Sequence, residues 1–224
     1  MKTLSKQPSD YNLSDFGQHF EYLLIFSPDG EAYKLTNNGK QTFYKNYRNE
    51  AAIFGKPHIT LANFLQPDLF EEEIINKLRR IAENSNAIKI ILKDYDWLPN
   101  TNKGGGAIVF NVEHKIDTQQ LVRKITSGIK RLMILENKLG PEMKQKLAPR
   151  FVLNPHLTLC KGLTPEQFAQ SKIEYATKRF YAEFAAKEMM LIKRLGTNAY
   201  QEVERCKLNG PGILTITKQG NLFQ

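Results

Sequence analysis

The pentapeptide Pro57-His58-Ile59-Thr60-Leu61 returns as Pro155-His156-Leu157-Thr158-Leu159, with the two histidines 98 positions apart. The same offset pairs Leu65 with Leu163, Pro67 with Pro165, Phe70 with Phe168 and Ile75 with Ile173. An internal repeat constrains a fold more than any single motif, because each copy must build the same unit. The chain is therefore expected to form two matching units, with the pentapeptides at equivalent points.

Each pentapeptide alternates between chemistry and oil. On a strand, residues two apart point to one face. His58 and Thr60 then project together, as do His156 and Thr158, while Ile59, Leu61, Leu157 and Leu159 point back into a core. Two such strands facing each other place two imidazoles on opposite sides of one pocket with two hydroxyls between them. By the same alternation Cys160 shares the face of His156 and Thr158, and Lys161 falls one register off it. Ala62 is the counterpart of Cys160 at the repeat offset, so a small side chain, rather than a nucleophile, is what that position requires.

The surrounding elements repeat in order. Phe20 to Ser27 reads as a strand, and Pro28-Asp29-Gly30 as a turn. A helix is expected from about Leu35 to Ile53, with Phe43 and Tyr47 at helical spacing. The first His-x-Thr strand spans about 57 to 65. Pro67 opens a helix near 68 to 84 whose stripe is Phe70, Ile74, Leu78 and Ile81. Ile88 to Leu92, extending toward Leu98, and Ala107 to Val112 are strands, separated by the flexible break Gly104-Gly105-Gly106. Asp117 and Gln120 resemble a capping pair for a helix from 118 to about 137 carrying Leu121, Ile125, Ile129 and Leu132. Phe151 to Cys160 holds the second His-x-Thr strand, and Thr164-Pro165 starts a helix to about Lys178. Strands follow around 180–184 or 188–195, then at 199–206 and 213–217. Residues 1–18 read as a flexible tail, and 19–224 as one bilobal domain of α+β class.

Charge narrows the partners. The net charge of +9 and pI near 9.4 favour anionic ligands such as RNA, nucleotides or phosphate esters, although dispersed lysines also serve solubility. Two cysteines without CxxC spacing point to a reducing, cytoplasmic setting. The N-terminal stretch has no apolar segment of signal-peptide type, and no apolar run is long enough to span a bilayer. The other two histidines, His19 and His114, are not at metal-ligand spacing to the motif pair, and no cofactor is expected. Tyr200 and Arg150 are candidates for the cleft wall and mouth. Tyr95 and Trp97 suit core packing better than base stacking.

Two histidines near neutral pKa suit acid–base work on a phosphodiester: one takes a proton while the other gives one. Hydroxyl donors would hold the phosphoryl oxygens. His58-Ile59-Thr60-Leu61 and His156-Leu157-Thr158-Leu159 resemble the paired signature of the 2H phosphoesterase superfamily, in its 2′-5′ RNA ligase-like branch. The likeness spans about residues 20 to 217 in motif order and separation. It implies a bilobal, pseudo-two-fold α+β fold with a central cleft between two sheets. It also implies metal-independent hydrolysis of 2′,3′-cyclic phosphates of RNA ends or nucleotides, or reversible 2′-5′ RNA joining. By resemblance His58 and His156 are the catalytic pair and Thr60 and Thr158 bind phosphate, in a chain expected to be monomeric. The alternative is a nucleotide- or RNA-binding module with the same cleft and no useful turnover.

Overall fold

The structure, a computed structural model, describes residues 18–100, 102, 104–132 and 149–210. Their order is β1 (His19–Phe26), α1 (Gly30–Tyr47), β2 (Ile59–Pro67), α2 (Glu71–Glu83), β3 (Ile88–Pro99), β4 (Gly106–Glu113) and α3 (Ile116–Ile129). It continues with β5 (Arg150–Phe151), β6 (His156–Leu163), α4 (Pro165–Tyr175), β7 (Tyr181–Ala186), β8 (Glu188–Arg194) and β9 (Gln201–Lys207). Residues 1–17 of the expected tail, the end of the helix expected to about 137 and the strand expected at 213–217 lie outside the described residues.

Eight strands run in the order β7-β3-β4-β6-β2-β1-β8-β9, with β5 paired to β2. Every pairing is antiparallel. The order is symmetrical about the β6–β2 junction. Each His-x-Thr strand sits innermost in a four-stranded half; β2 and β6 meet through one ladder pair, Ile59 with Leu157, and β5 extends the seam through Phe151–Ala62 and Arg150–Asn63. The two sheets implied by the resemblance are thus two halves of one curled sheet, and the fold is α+β with the implied pseudo-two-fold arrangement.

One face of this sheet packs on the helices. The cluster there includes Tyr22, Leu24, Phe26, Ile59, Leu61, Leu157 and Leu159 from the strands, and Phe43, Ile74, Leu78, Leu121 and Ile125 from the helices. Fully buried side chains of this size contribute ~1.5–3 kcal/mol each. Ile74, Leu78 and Ala82 are the buried stripe of α2, and Glu71, Glu72 and Glu73 occupy its first turn, where the helix dipole favours negative charge. Helix α4 begins with a complete capping box: Gln167 N–H donates to the Thr164 hydroxyl, and the Gln167 side chain receives the Thr164 N–H. Gly39 lets α1 lie close on β4, because a Cβ there would stand 2.9 Å from the Phe110 ring.

Several expected boundaries move. Helix α1 starts five residues before Leu35 and ends at Tyr47, where Arg48 adopts a left-handed conformation and caps back to the Tyr44 carbonyl. Asp117 makes no cap, since α3 already begins at Ile116 with Lys115 before it. Strand β3 runs unbroken to Pro99, accommodating a bulge at Lys93 and Asp94. The glycine run is a packed junction, not a flexible break. Gly105 has φ +67° and a Cβ on it would lie 2.0 Å from the Leu163 carbonyl; on Gly106 it would lie 2.3 Å from that of Leu98. No described helix is long and apolar enough to cross a membrane.

Candidate active site

His58 immediately precedes Ile59, and His156 immediately precedes Leu157, so both histidines flank the one pair that joins β2 to β6. In an antiparallel register the residues one step out lie across from each other, which sets His58 toward Thr158 and His156 toward Thr60. All four are half-buried on the face opposite Ile59, Leu61, Leu157 and Leu159, which are fully buried. Behind them the same face is apolar. Ile25 pairs with Thr60, Leu23 with Asn63 and Val109 with Thr158, and these three buried residues stand outside the helix-side core. The structure therefore brings together all four residues that the alternation groups.

Both imidazoles are held by one device. Nδ1 of His58 lies 2.8 Å from the Lys56 carbonyl, and Nδ1 of His156 lies 2.9 Å from that of Asn154. A carbonyl oxygen only accepts, so Nδ1 carries the proton in each ring and Nε2 is left to exchange protons. Burial lowers the His58 pKa from its ordinary 6.5; the nearby charges of Lys40, Lys161 and His156 add to this, against the opposing hydrogen bond to Lys56. That the charge of His156 is felt at His58 puts the two imidazoles in one electrostatic environment.

The β6 strand corrects the sequence reading beyond Thr158. Thr158 pairs with Val109 but Cys160 with Ile108, which leaves Leu159 as an extra residue. Such a bulge breaks the alternation. Leu159 and Cys160 both turn into the core, fully buried, and Lys161, one step on, emerges on the side of the histidines. Strand β2 does the same: Thr60 pairs with Ile25, Ala62 with Leu24, and Leu61 is the extra residue. Leu61 and Leu159 are 98 apart, so the bulge is part of the repeat, and Asn63 is the counterpart of Lys161. Cys160 is accordingly no member of the His face. Burial pushes its thiol up to about 11, with Lys40 partly opposing.

The walls of the two halves differ. Beside Lys161 a groove of about 420 Å³ opens, lined by Asn100, Gly104, Gly106, Gly162 and Thr164 among others. On the other side Asn63 donates to Glu21 at 3.1 Å, and Arg194 Nε donates to Glu21 at 2.6 Å. Burial works against the Glu21 carboxylate, but the hydrogen bonds from Arg194 and Asn63 and the Arg194 charge hold it below its usual range. Tyr200 joins this group, its ring 4.6 Å from the Arg194 guanidinium. Arg150 lies exposed on β5 opposite Asn63. Tyr95 packs among Phe110, Tyr175 and Phe180 in the core, and Trp97 packs against the same core.

Lys40 is the residue that sequence reading missed. It is 5% exposed, in the buried stripe Ala32, Thr36, Lys40 and Phe43 of α1, and its Nζ donates to the Gly55 carbonyl at 3.1 Å. Burial lowers its pKa, with Lys161 adding to the effect and Cys160 opposing it. The available signal was a lysine at an otherwise buried helical spacing. Among the described residues no group of three or more His, Cys, Asp or Glu side chains is placed to hold a metal ion.

The family model described as the 2′-5′ RNA ligase superfamily matches residues 38–198. No curated protein matches the chain. Among solved structures, TT0787 of Thermus thermophilus is similar at 15% identity and TM-score 0.59, over 86% of this chain and 100% of that one. A structure described as a phosphoesterase is similar at 14% identity and TM-score 0.59, over 84% and 98%. E. coli LigT complexed with 3′-AMP is similar at 14% identity and TM-score 0.55, over 85% and 99%.

Proposed function

Because the chain belongs to the 2′-5′ RNA ligase superfamily, within the 2H phosphoesterases, we propose that it is a metal-independent phosphodiesterase acting on 2′,3′-cyclic phosphates of RNA ends or nucleotides. The observation that carries this reading is the pair of half-buried histidines on one face, each with Nδ1 committed to a carbonyl and Nε2 left over. Water attacks phosphorus as its proton passes to Nε2 of the neutral histidine. The bond from phosphorus to the 3′ oxygen breaks, and that oxygen takes the proton of the charged histidine, leaving a 2′-phosphate. Thr60 and Thr158 donate to the non-bridging oxygens, and Lys161 offsets the charge that accumulates there. With a 5′-hydroxyl group in place of the attacking water, the same course joins a 2′-5′ linkage as the 3′ oxygen leaves with the proton of the charged histidine. Nucleotides on similar scaffolds support the ligand class: LigT structures hold 3′-AMP, NADP⁺ and ATP.

The test is turnover of a nucleoside 2′,3′-cyclic phosphate by pure protein in chelator. His58→Ala and His156→Ala are each expected to lose about 10²- to 10⁴-fold in kcat while still folding. The pH–rate profile should be bell-shaped, because one histidine must be neutral and the other charged. The doubly protonated pair is inactive, so the rate rises with pH as the first proton leaves. Since His58 is held below 6.5, that acid limb lies below 6.5. Nucleotide binding without product from any cyclic or 2′-5′-linked substrate would instead identify a binding module, and a requirement for added metal would refute the mechanism.

A further inference from the structure

Each histidine is approached by a loop, and each loop is anchored one carbonyl further back. Before β2, the Lys56 carbonyl takes Nδ1 of His58, and the preceding carbonyl, of Gly55, accepts from Lys40 Nζ at 3.1 Å. Before β6, the Asn154 carbonyl takes Nδ1 of His156, and the preceding carbonyl, of Leu153, accepts from Gln119 Nε2 at 2.8 Å. Gly55 and Leu153, like Lys56 and Asn154, stand 98 apart. Lys40 on α1 and Gln119 on α3 do not, so the two helices reach equivalent carbonyls from different turns. A peptide plane is rigid. With the Gly55 carbonyl pinned, only the two backbone torsions of Lys56 separate that anchor from the acceptor of the His58 ring.

We propose that Lys40 and Gln119 are positioning residues for the two histidines, pinning from the helical layer the loop carbonyls that fix the tautomer and direction of each imidazole. This rests on the reading of the histidines as the acid–base pair. It also identifies where the pseudo-symmetry is broken. Gln119 is neutral and half-buried, whereas Lys40 brings an ammonium into the interior behind β6. The charged groups facing His58 are Lys40 from α1 and Lys161 and His156 from β6, with Lys56 in its own loop, near Glu202 of β9. Lys40 thus acts on His58 both through the loop and through its field, and Gln119 acts on His156 through the loop alone. Two chemically identical groups on equivalent strands are thus held through chemically different anchors.

The experiment is nitrogen-15 NMR of the imidazoles in the full chain, paired with turnover kinetics. The four histidines keep the spectrum resolvable. Lys40→Gln retains an amide donor for Gly55 and removes the charge. It is expected to keep the Nδ1–H tautomer of His58 and to move its titration midpoint up, carrying the acid limb of the rate profile with it. Lys40→Met removes both, so the His58 tautomer becomes mixed while His156 is unchanged. Gln119→Leu does the converse. Loss of either anchor should lower kcat about 10- to 100-fold, as expected for a displaced reacting group. Unchanged tautomers in Lys40→Met and Gln119→Leu would overturn the proposal, as would an unmoved His58 midpoint in Lys40→Gln. If Lys40→Met fails to fold, Lys40→Gln decides for that half. The spectra are read on the free protein, so the anchoring of the imidazoles is decided apart from turnover: a failure to turn over cyclic phosphates with the tautomer changes present would refute the functional reading, and unchanged tautomers would refute the anchoring.

Discussion

At position 160 a cysteine follows the second His-x-Thr motif, with a lysine directly after it. A thiol in that place invites a nucleophilic role, but its side chain is wholly buried and its pKa is pushed up to about 11. A nucleophile needs its thiolate and an open path, and this one has neither. Its counterpart, Ala62, is equally buried. Cys160→Ala is therefore expected to keep kcat/KM within about threefold of the parent, since the group touches no reacting atom. A loss comparable to that of His58→Ala in the same cyclic-phosphate assay would return the thiol to the mechanism. The four residues of the two motifs were legible because strict alternation sorts polar from apolar side chains without knowledge of anything distant. Lys40 was not legible as part of the site, because its importance comes from a carbonyl fifteen residues away, which only the folded chain brings within reach.

Bulges are the element-scale reason the alternation stopped being a guide. A strand that keeps its period predicts every face from one residue, and one extra residue reverses the faces beyond it. Nothing in Thr158-Leu159-Cys160-Lys161 announces the insertion; it is visible only in the ladder with β4. The repeat nevertheless held the clue, because Ala62-Asn63 and Cys160-Lys161 share an order of small then polar. Element order was legible from turn signals and helical stripes as far as α4. Beyond it the strands read as alternatives, around 180–184 or 188–195, are both present as β7 and β8. The short β5 was not expected as a strand of its own, and boundaries shifted where backbone caps rather than side chains end a helix, as at Arg48. The glycine junction gives a test at this scale. Gly105→Ala forces a Cβ toward the Leu163 carbonyl at a positive φ, so the ends of β4 and β6 must separate. A loss of about 2 kcal/mol or more in chemical denaturation is expected, in the range for strained backbone substitutions. An unchanged midpoint would show that the junction is as loose as the sequence suggests.

Over the whole molecule, a formal charge of +9 surrounds a cleft proposed for a phosphate ester. Such a field raises the local concentration of anions and is screened within ~8–10 Å at physiological salt. KM for a cyclic nucleotide should accordingly rise severalfold between about 20 and 500 mM salt, with kcat little altered. A salt-insensitive KM would mean that the lysines serve solubility instead. The Ile59–Leu157 contact carries a mechanical consequence. The β2–β6 ladder is this one residue pair, but the same edge of β2 is stitched to β5 through Phe151–Ala62 and Arg150–Asn63, with the Val152 N–H donating to the Leu61 carbonyl at 2.9 Å, and α1 crosses beneath to meet Phe110 and Glu174 of the other half. The distance between the two imidazoles is therefore set by a braced frame of strand and helix contacts rather than by either strand alone.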